Sequence, residues 1–119
     1  MRVSAPGEHD DPVAAIGQHL APELVKAGSA FSHAIYKHST LSLREFEGAR
    51  ARTAEINGCL VCRAFRAKRD LVSFFDSQGL EHTRSVIDNG EAPDEDFYLN
   101  VSNWKTWPGY SERERLAIE

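Results

Sequence analysis

Cys59-Leu-Val-Cys62 contains both cysteines of the chain, and two thiols at that spacing suit dithiol–disulfide chemistry. Helix residues i and i+3 share a face with Cα atoms roughly 5 Å apart, inside the range a disulfide can bridge. Asn57-Gly58 closes one helical pattern, so Cys59 opens the next. Thiols in a first helical turn meet unpaired N–H groups and the positive end of the helix dipole, which stabilise a thiolate. Arg66 and Arg69 continue the stripe begun by Cys59 and Cys62. An arginine beside Cys62 favours the thiolate but cannot accept its proton, because the guanidinium stays charged. Glu47 lies on the preceding helix. If the two helices fold back on each other, Glu47 and Arg66 both stand roughly 12–15 Å from the turn at a rise of 1.5 Å per residue. A Glu47–Arg66 ion pair beside the thiols is therefore expected.

Other chemistries use the same residues. His33 and His38 could join Cys59 and Cys62 as a tetrahedral zinc site, which makes a zinc-binding module one alternative. Arg63, Arg66, Lys68 and Arg69 also read as a plain solvated helix face. Thioredoxin chemistry on its own fold is disfavoured because no βαβ pattern surrounds the pair. The main reading assigns no metal and no cofactor.

The elements that must position these residues are helical. Pro12 opens a helix towards His19, and Pro22 opens another to about Lys37, with Leu24, Ala27, Phe31, Ala34 and Ile35 at helical spacing. Ser42-Leu-Arg-Glu45 is a capping box, followed by an apolar stripe of Leu43, Phe46, Ala49, Thr53 and Ile56. One helix is expected from Cys59 to Gly79 and a weaker one from Leu80 to about Asn89. Glu91-Ala-Pro-Asp-Glu-Asp reads as a solvated turn. Phe97 to Tyr110 reads as an aromatic loop that covers the core or enters an interface. Ser111-Glu-Arg-Glu114 is a second capping box whose helix reaches Glu119 without a C-cap, as an incomplete or neighbour-docked helix would. Nothing alternates like a strand, so the fold class is all-α: a flexible segment over residues 1–11 and a single helical domain over 12–119.

Composition narrows the function classes. At 119 residues, 41% hydrophobic and 27% charged, the chain is an ordinary globular domain. A net charge of −4 argues against nucleic-acid and anionic-membrane partners. No signal-peptide or membrane-spanning pattern is visible, so a cytoplasmic location is expected, where a paired Cys-x-x-Cys is more often catalytic or metal-binding than structural.

Leu41-Ser-Leu-Arg-Glu-Phe-Glu47, followed by Ala54-Glu-Ile-Asn-Gly-Cys-Leu-Val-Cys62, resembles the core motif of the alkylhydroperoxidase-like, carboxymuconolactone decarboxylase superfamily. That motif sets a glutamate twelve residues before the first cysteine, as Glu47 stands before Cys59. It then has a histidine four residues after the second cysteine, where this chain has Arg66. Tyr110-Ser-Glu-Arg-Glu-Arg-Leu-Ala resembles the start of a later family helix. The resemblance implies an all-α helical bundle assembled as a homo-oligomer. It makes Cys62 the peroxide-attacking thiolate, Cys59 the resolving thiol and Glu47 part of a proton relay. The implied partners are a hydrogen peroxide or organic hydroperoxide substrate and a thiol or dithiol electron donor. Arg66 cannot take the thiol proton as a histidine does. The alternative within this family is a catalytically decayed helical oligomer with a structural Glu47–Arg66 pair.

Overall fold

The structure is a computed structural model that describes residues 12–77, 79–81 and 83–119. The expected flexible segment over residues 1–11 lies outside the described residues. Among the described residues every regular element is helical and no strand occurs. Where the sequence suggests one domain from residue 12, the chain divides into two compact units, Met1–Ile35 and Tyr36–Glu119.

The first unit contains α1 (Pro12–Leu20) and most of α2 (Pro22–His38). Proline starts both helices, where its missing N–H costs nothing and its fixed φ already suits the helix.

The second unit is organised around α3 (Leu43–Ile56). Its capping box forms as the sequence predicts: Ser42 accepts from the Glu45 N–H, and the Glu45 carboxylate accepts from the Ser42 N–H at 2.8 Å. The buried face is turned from the expected stripe, however. Leu43, Glu47, Gly48, Ala51 and Ala54 are buried, whereas Thr53 and Ile56 are exposed. Two apolar clusters flank the helix. Leu43 joins Tyr36, Ala67, Leu71, Phe75, Val86 and Ile87, while Ala51 joins Phe97, Val101, Tyr110 and Ile118. A helix with a cluster on each side buries more of its circumference than one amphipathic stripe accounts for.

The expected helix from Cys59 to Gly79 is two helices, α4 (Leu60–Ala64) and α5 (Ala67–Ser77), with Phe65 extended between them. Gly79 follows at φ 65°, and the Leu80 N–H bonds to the Phe75 carbonyl at 2.9 Å, which terminates α5 in the predicted manner. The expected helix over Leu80–Asn89 is reduced to a 3-10 turn, Val86–Asp88. Arg84 sits at φ 55°, which an α-helix cannot include, and the Ser85 side chain takes the Ile87 N–H at 3.3 Å. Val86 and Ile87 then fill the first cluster with no exposed surface.

The acidic segment does more than turn. Asp94 caps α6 (Glu95–Leu99) by accepting the Phe97 N–H at 2.9 Å, which delivers Phe97 into the second cluster. A 3-10 turn, Val101–Asn103, follows. Trp104 and Trp107 are half-buried against that cluster, so the aromatic loop covers the core of its own chain. The last helix, α7 (Glu112–Ile118), also packs on its own chain through one face, while Leu116 stays exposed. Ile118 is buried, and a Cβ built on Gly48 would lie 2.8 Å from its Cγ1. Arg44 pairs with Glu114 and Arg113 with Glu45, each at 2.5 Å, so α3 and α7 start side by side and run in the same sense. Both capping-box glutamates thus serve twice.

Candidate redox site

Gly58 at φ 63° turns the chain out of α3, and the Cys59 N–H returns to the Ala54 carbonyl at 3.0 Å. Cys59 is thereby set as the N-cap of α4, where its sulfur accepts the Cys62 N–H at 3.2 Å. Cys59 and Cys62 are joined as a disulfide with Cα atoms 5.3 Å apart, as the i, i+3 spacing predicts. Cys62 is exposed and Cys59 half-buried, so the pair lies at the surface. The residues between them, Leu60 and Val61, are 79% and 80% exposed.

Glu47 has no exposed surface, and its two carboxylate oxygens accept four hydrogen bonds. Arg50 grips it with two nitrogens, Nε to Oε1 at 2.6 Å and Nη2 to Oε2 at 3.2 Å. The Ala67 N–H donates to Oε2 at 3.1 Å and the Tyr98 hydroxyl to the same oxygen at 2.7 Å. Such a set of donors satisfies the buried carboxylate and fixes its orientation. Burial, and then the hydrogen bond to Glu47, push the Tyr98 phenol far above its ordinary range, so it remains a donor.

This node also explains why α4 and α5 are separate. In one continuous helix the Cys62 carbonyl would accept from the Arg66 N–H and the Phe65 carbonyl from the Arg69 N–H. Here Arg50 supplies both, Nη1 to Cys62 O at 2.6 Å and Nη2 to Phe65 O at 2.9 Å. The freed Arg66 N–H goes to the Asp70 carboxylate at 2.7 Å, and the freed Ala67 N–H goes to Glu47. Arg66 Nη1 adds bonds to the Arg63 and Phe65 carbonyls at 2.7 and 2.8 Å. Side chains therefore replace the backbone ladder at the break, and no group among these is left unpaired.

The expected Glu47–Arg66 pair does not form. Arg50 lies one turn from Glu47 on α3 and occupies its carboxylate, while Arg66 pairs with Glu95 at the start of α6 through bonds of 3.0 and 2.8 Å. The Glu95 bond raises the Arg66 guanidinium above its already high range, so Arg66 holds its proton. The two residues remain linked indirectly: the Arg66 guanidinium lies 3.8 Å from the Tyr98 ring centre, and that phenol donates to Glu47. Arg69 departs from the predicted stripe to bond the Asp70 carboxylate and the Ala64 carbonyl.

Arg50, Asp70 and Tyr98 are the parts of the site that sequence reasoning missed. The signals were present but weak: Glu47 and Arg50 are an i, i+3 pair on one helix, and Asp70 sits four residues after Arg66 at a helix start. Nothing local ties Tyr98 to Glu47. For the zinc alternative, no group of three or more His, Cys, Asp or Glu side chains is gathered to hold a metal among the described residues, and the two sulfurs are bonded to each other. No described helix is long and apolar enough to cross a membrane.

Compared with protein-family models, with curated proteins and with solved structures, the chain finds no match. The site is therefore described by its own geometry: a Cys59–Cys62 disulfide at a helix start, beside a buried ionic node around Glu47.

Proposed function

We propose that the protein is a thiol–disulfide oxidoreductase of the alkylhydroperoxidase-like kind, with Cys59 and Cys62 as its redox couple. The observation that carries this reading is the accessible Cys59–Cys62 disulfide at the N-terminus of α4. The resemblance of residues 41–62 to the superfamily motif supports the peroxidase assignment within that class.

In the proposed reaction the Cys62 thiolate attacks the terminal oxygen of a hydroperoxide. The O–O bond breaks, Cys62 becomes a sulfenic acid, and the alcohol leaves with a proton from solvent. Cys59 then attacks the sulfenic sulfur, water departs and the disulfide forms. A thiol or dithiol donor returns two electrons by exchange through a mixed disulfide. Glu47 and Arg50 are positioning residues in this scheme. With both its oxygens already engaged by donors, Glu47 fixes the backbone that presents the cysteines, and Arg50 fixes the Cys62 carbonyl. Solvent supplies and removes the protons, since Arg66 cannot.

The test is to reduce the protein and titrate it with hydrogen peroxide and an organic hydroperoxide, counting thiols. The expected result is two thiols consumed per hydroperoxide, faster than for free cysteine, with loss of consumption in Cys62→Ser. Cys59→Ser should instead accumulate a dimedone-reactive sulfenic acid at Cys62. Thiols that outlast free cysteine under the same peroxide would defeat the proposal and leave a helical scaffold. The same resemblance carries homo-oligomerisation, and Ile56 and Leu116 are exposed apolar side chains that association would cover. Sedimentation at micromolar concentration tests it, and a 13.3 kDa species throughout would count against it.

A further inference from the structure

A cleft of about 320 Å³ lies against α4 and is walled by α3, α6 and the 3-10 turn that follows α6. Leu60, Leu99 and Val101 give it apolar sides. Three charged residues line it, and two of them are already neutralised: Arg66 by Glu95, and Glu55 by Arg52 at 2.7 Å with a further bond from the Ser102 hydroxyl. The third, Arg63, is exposed and makes no side-chain ion pair or hydrogen bond among the described residues. The cleft therefore combines apolar walls with one uncommitted guanidinium, within the size range of small-molecule sites. Arg63 follows Cys59 by one helical turn, so the cationic rim adjoins the redox couple.

We infer that this cleft selects organic hydroperoxides that carry a carboxylate, with Arg63 holding the carboxylate and Leu60, Leu99 and Val101 holding the carbon body. A guanidinium meets a carboxylate through two parallel N–H···O bonds, which fixes orientation as well as charge. Arg63 stands one turn from Cys59 on α4, so a substrate anchored there is held within about one helical turn of the couple. The inference rests on the peroxidase reading for its turnover but not for its binding, and the two are separable.

The experiment uses two aryl hydroperoxides of matched size, cumene hydroperoxide and its para-carboxylated analogue, together with 4-isopropylbenzoate as an unreactive ligand. The wild type is expected to turn over the carboxylated substrate with about tenfold higher kcat/KM, the scale of one charge-assisted contact at a part-exposed site. Arg63→Gln should bring that ratio to about one, and Arg63→Glu should invert it. Calorimetric titration should show 4-isopropylbenzoate binding to the wild type and losing about tenfold in affinity in Arg63→Gln. If no hydroperoxide is consumed but the benzoate still binds through Arg63, the cleft stands and the peroxidase reading falls. Equal kcat/KM for the two hydroperoxides in the wild type, or benzoate affinity indifferent to Arg63→Gln, overturns the inference.

Discussion

Glu45 and Glu47 are two residues apart on the same helix and do opposite kinds of work. Glu45 caps its own helix and pairs with Arg113, whose side chain is 77% exposed. Its cap closes locally, and its ion pair is open to water on the arginine side. Glu47 has no exposed surface and holds together α3, the α4–α5 break and α6 through Arg50, Ala67 and Tyr98. A capping box closes over four residues, so chain connectivity brings its partners together before tertiary structure exists. The Glu47 node closes over 51 residues and has value only once the whole second unit is assembled. An exposed ion pair loses its partner to water, whereas a buried one loses it to nothing.

The largest effect should therefore fall on Glu47. Glu47→Ala leaves the Arg50 charge, the Tyr98 hydroxyl and the Ala67 N–H without their acceptor, a change on the order of 3–5 kcal/mol for a broken buried pair. Denaturant unfolding of the second unit measures it. A loss below about 1 kcal/mol would place Glu47 in the same class as Glu45 and erase the contrast.

Arg50→Lys keeps the charge but cannot grip the carboxylate with two nitrogens and also reach two carbonyls. A loss of about 2 kcal/mol is expected from the forfeited charge-assisted bonds. Because Arg50 holds the Cys62 carbonyl, the Cys59–Cys62 reduction potential should shift as well. A stability loss with an unaltered potential would show that Arg50 supports the fold without positioning the couple.

Gly48→Ala probes the apolar side of the same helix. Alanine improves helix propensity by about 1 kcal/mol, but its Cβ would stand 2.8 Å from Ile118 Cγ1, and overpacking costs roughly 1–3 kcal/mol. A net loss is expected, relieved when Ile118 is shortened to Val in the same chain. Thermal unfolding of the two variants decides it.

The smallest effect belongs to Glu45. Hydrogen bonds from Arg113, then from Ser42, lower its carboxyl from the ordinary 4.5 to about 2. A depressed carboxyl stabilises the fold above its unfolded value, and that contribution disappears as pH falls from about 4.5 towards 2. The melting temperature should drop by a few degrees across that window, and by less in Arg113→Gln. A drop of the same size in the variant would show that other carboxyls set the acid limit.

Connectivity itself determined much of what the sequence disclosed. The two capping boxes, the glycine stops at Gly58 and Gly79, the helical class and the Cys59–Cys62 spacing all close within a few residues, so residue type and spacing suffice to read them. Other features depend on which surfaces meet. The helix expected through Phe65 is broken because Arg50 and Glu47, more than a dozen residues away, offer its backbone better partners than its own ladder. The buried face of α3 is set by two clusters packing on either side, and the docking of α7 by a gap over Gly48. Glu47 met Arg50 instead of Arg66 because α6 presents Glu95 to Arg66 from outside the motif. No local spacing encodes such competition between partners; only the assembled unit decides it, since a buried charge accepts whichever donors the packing brings within reach.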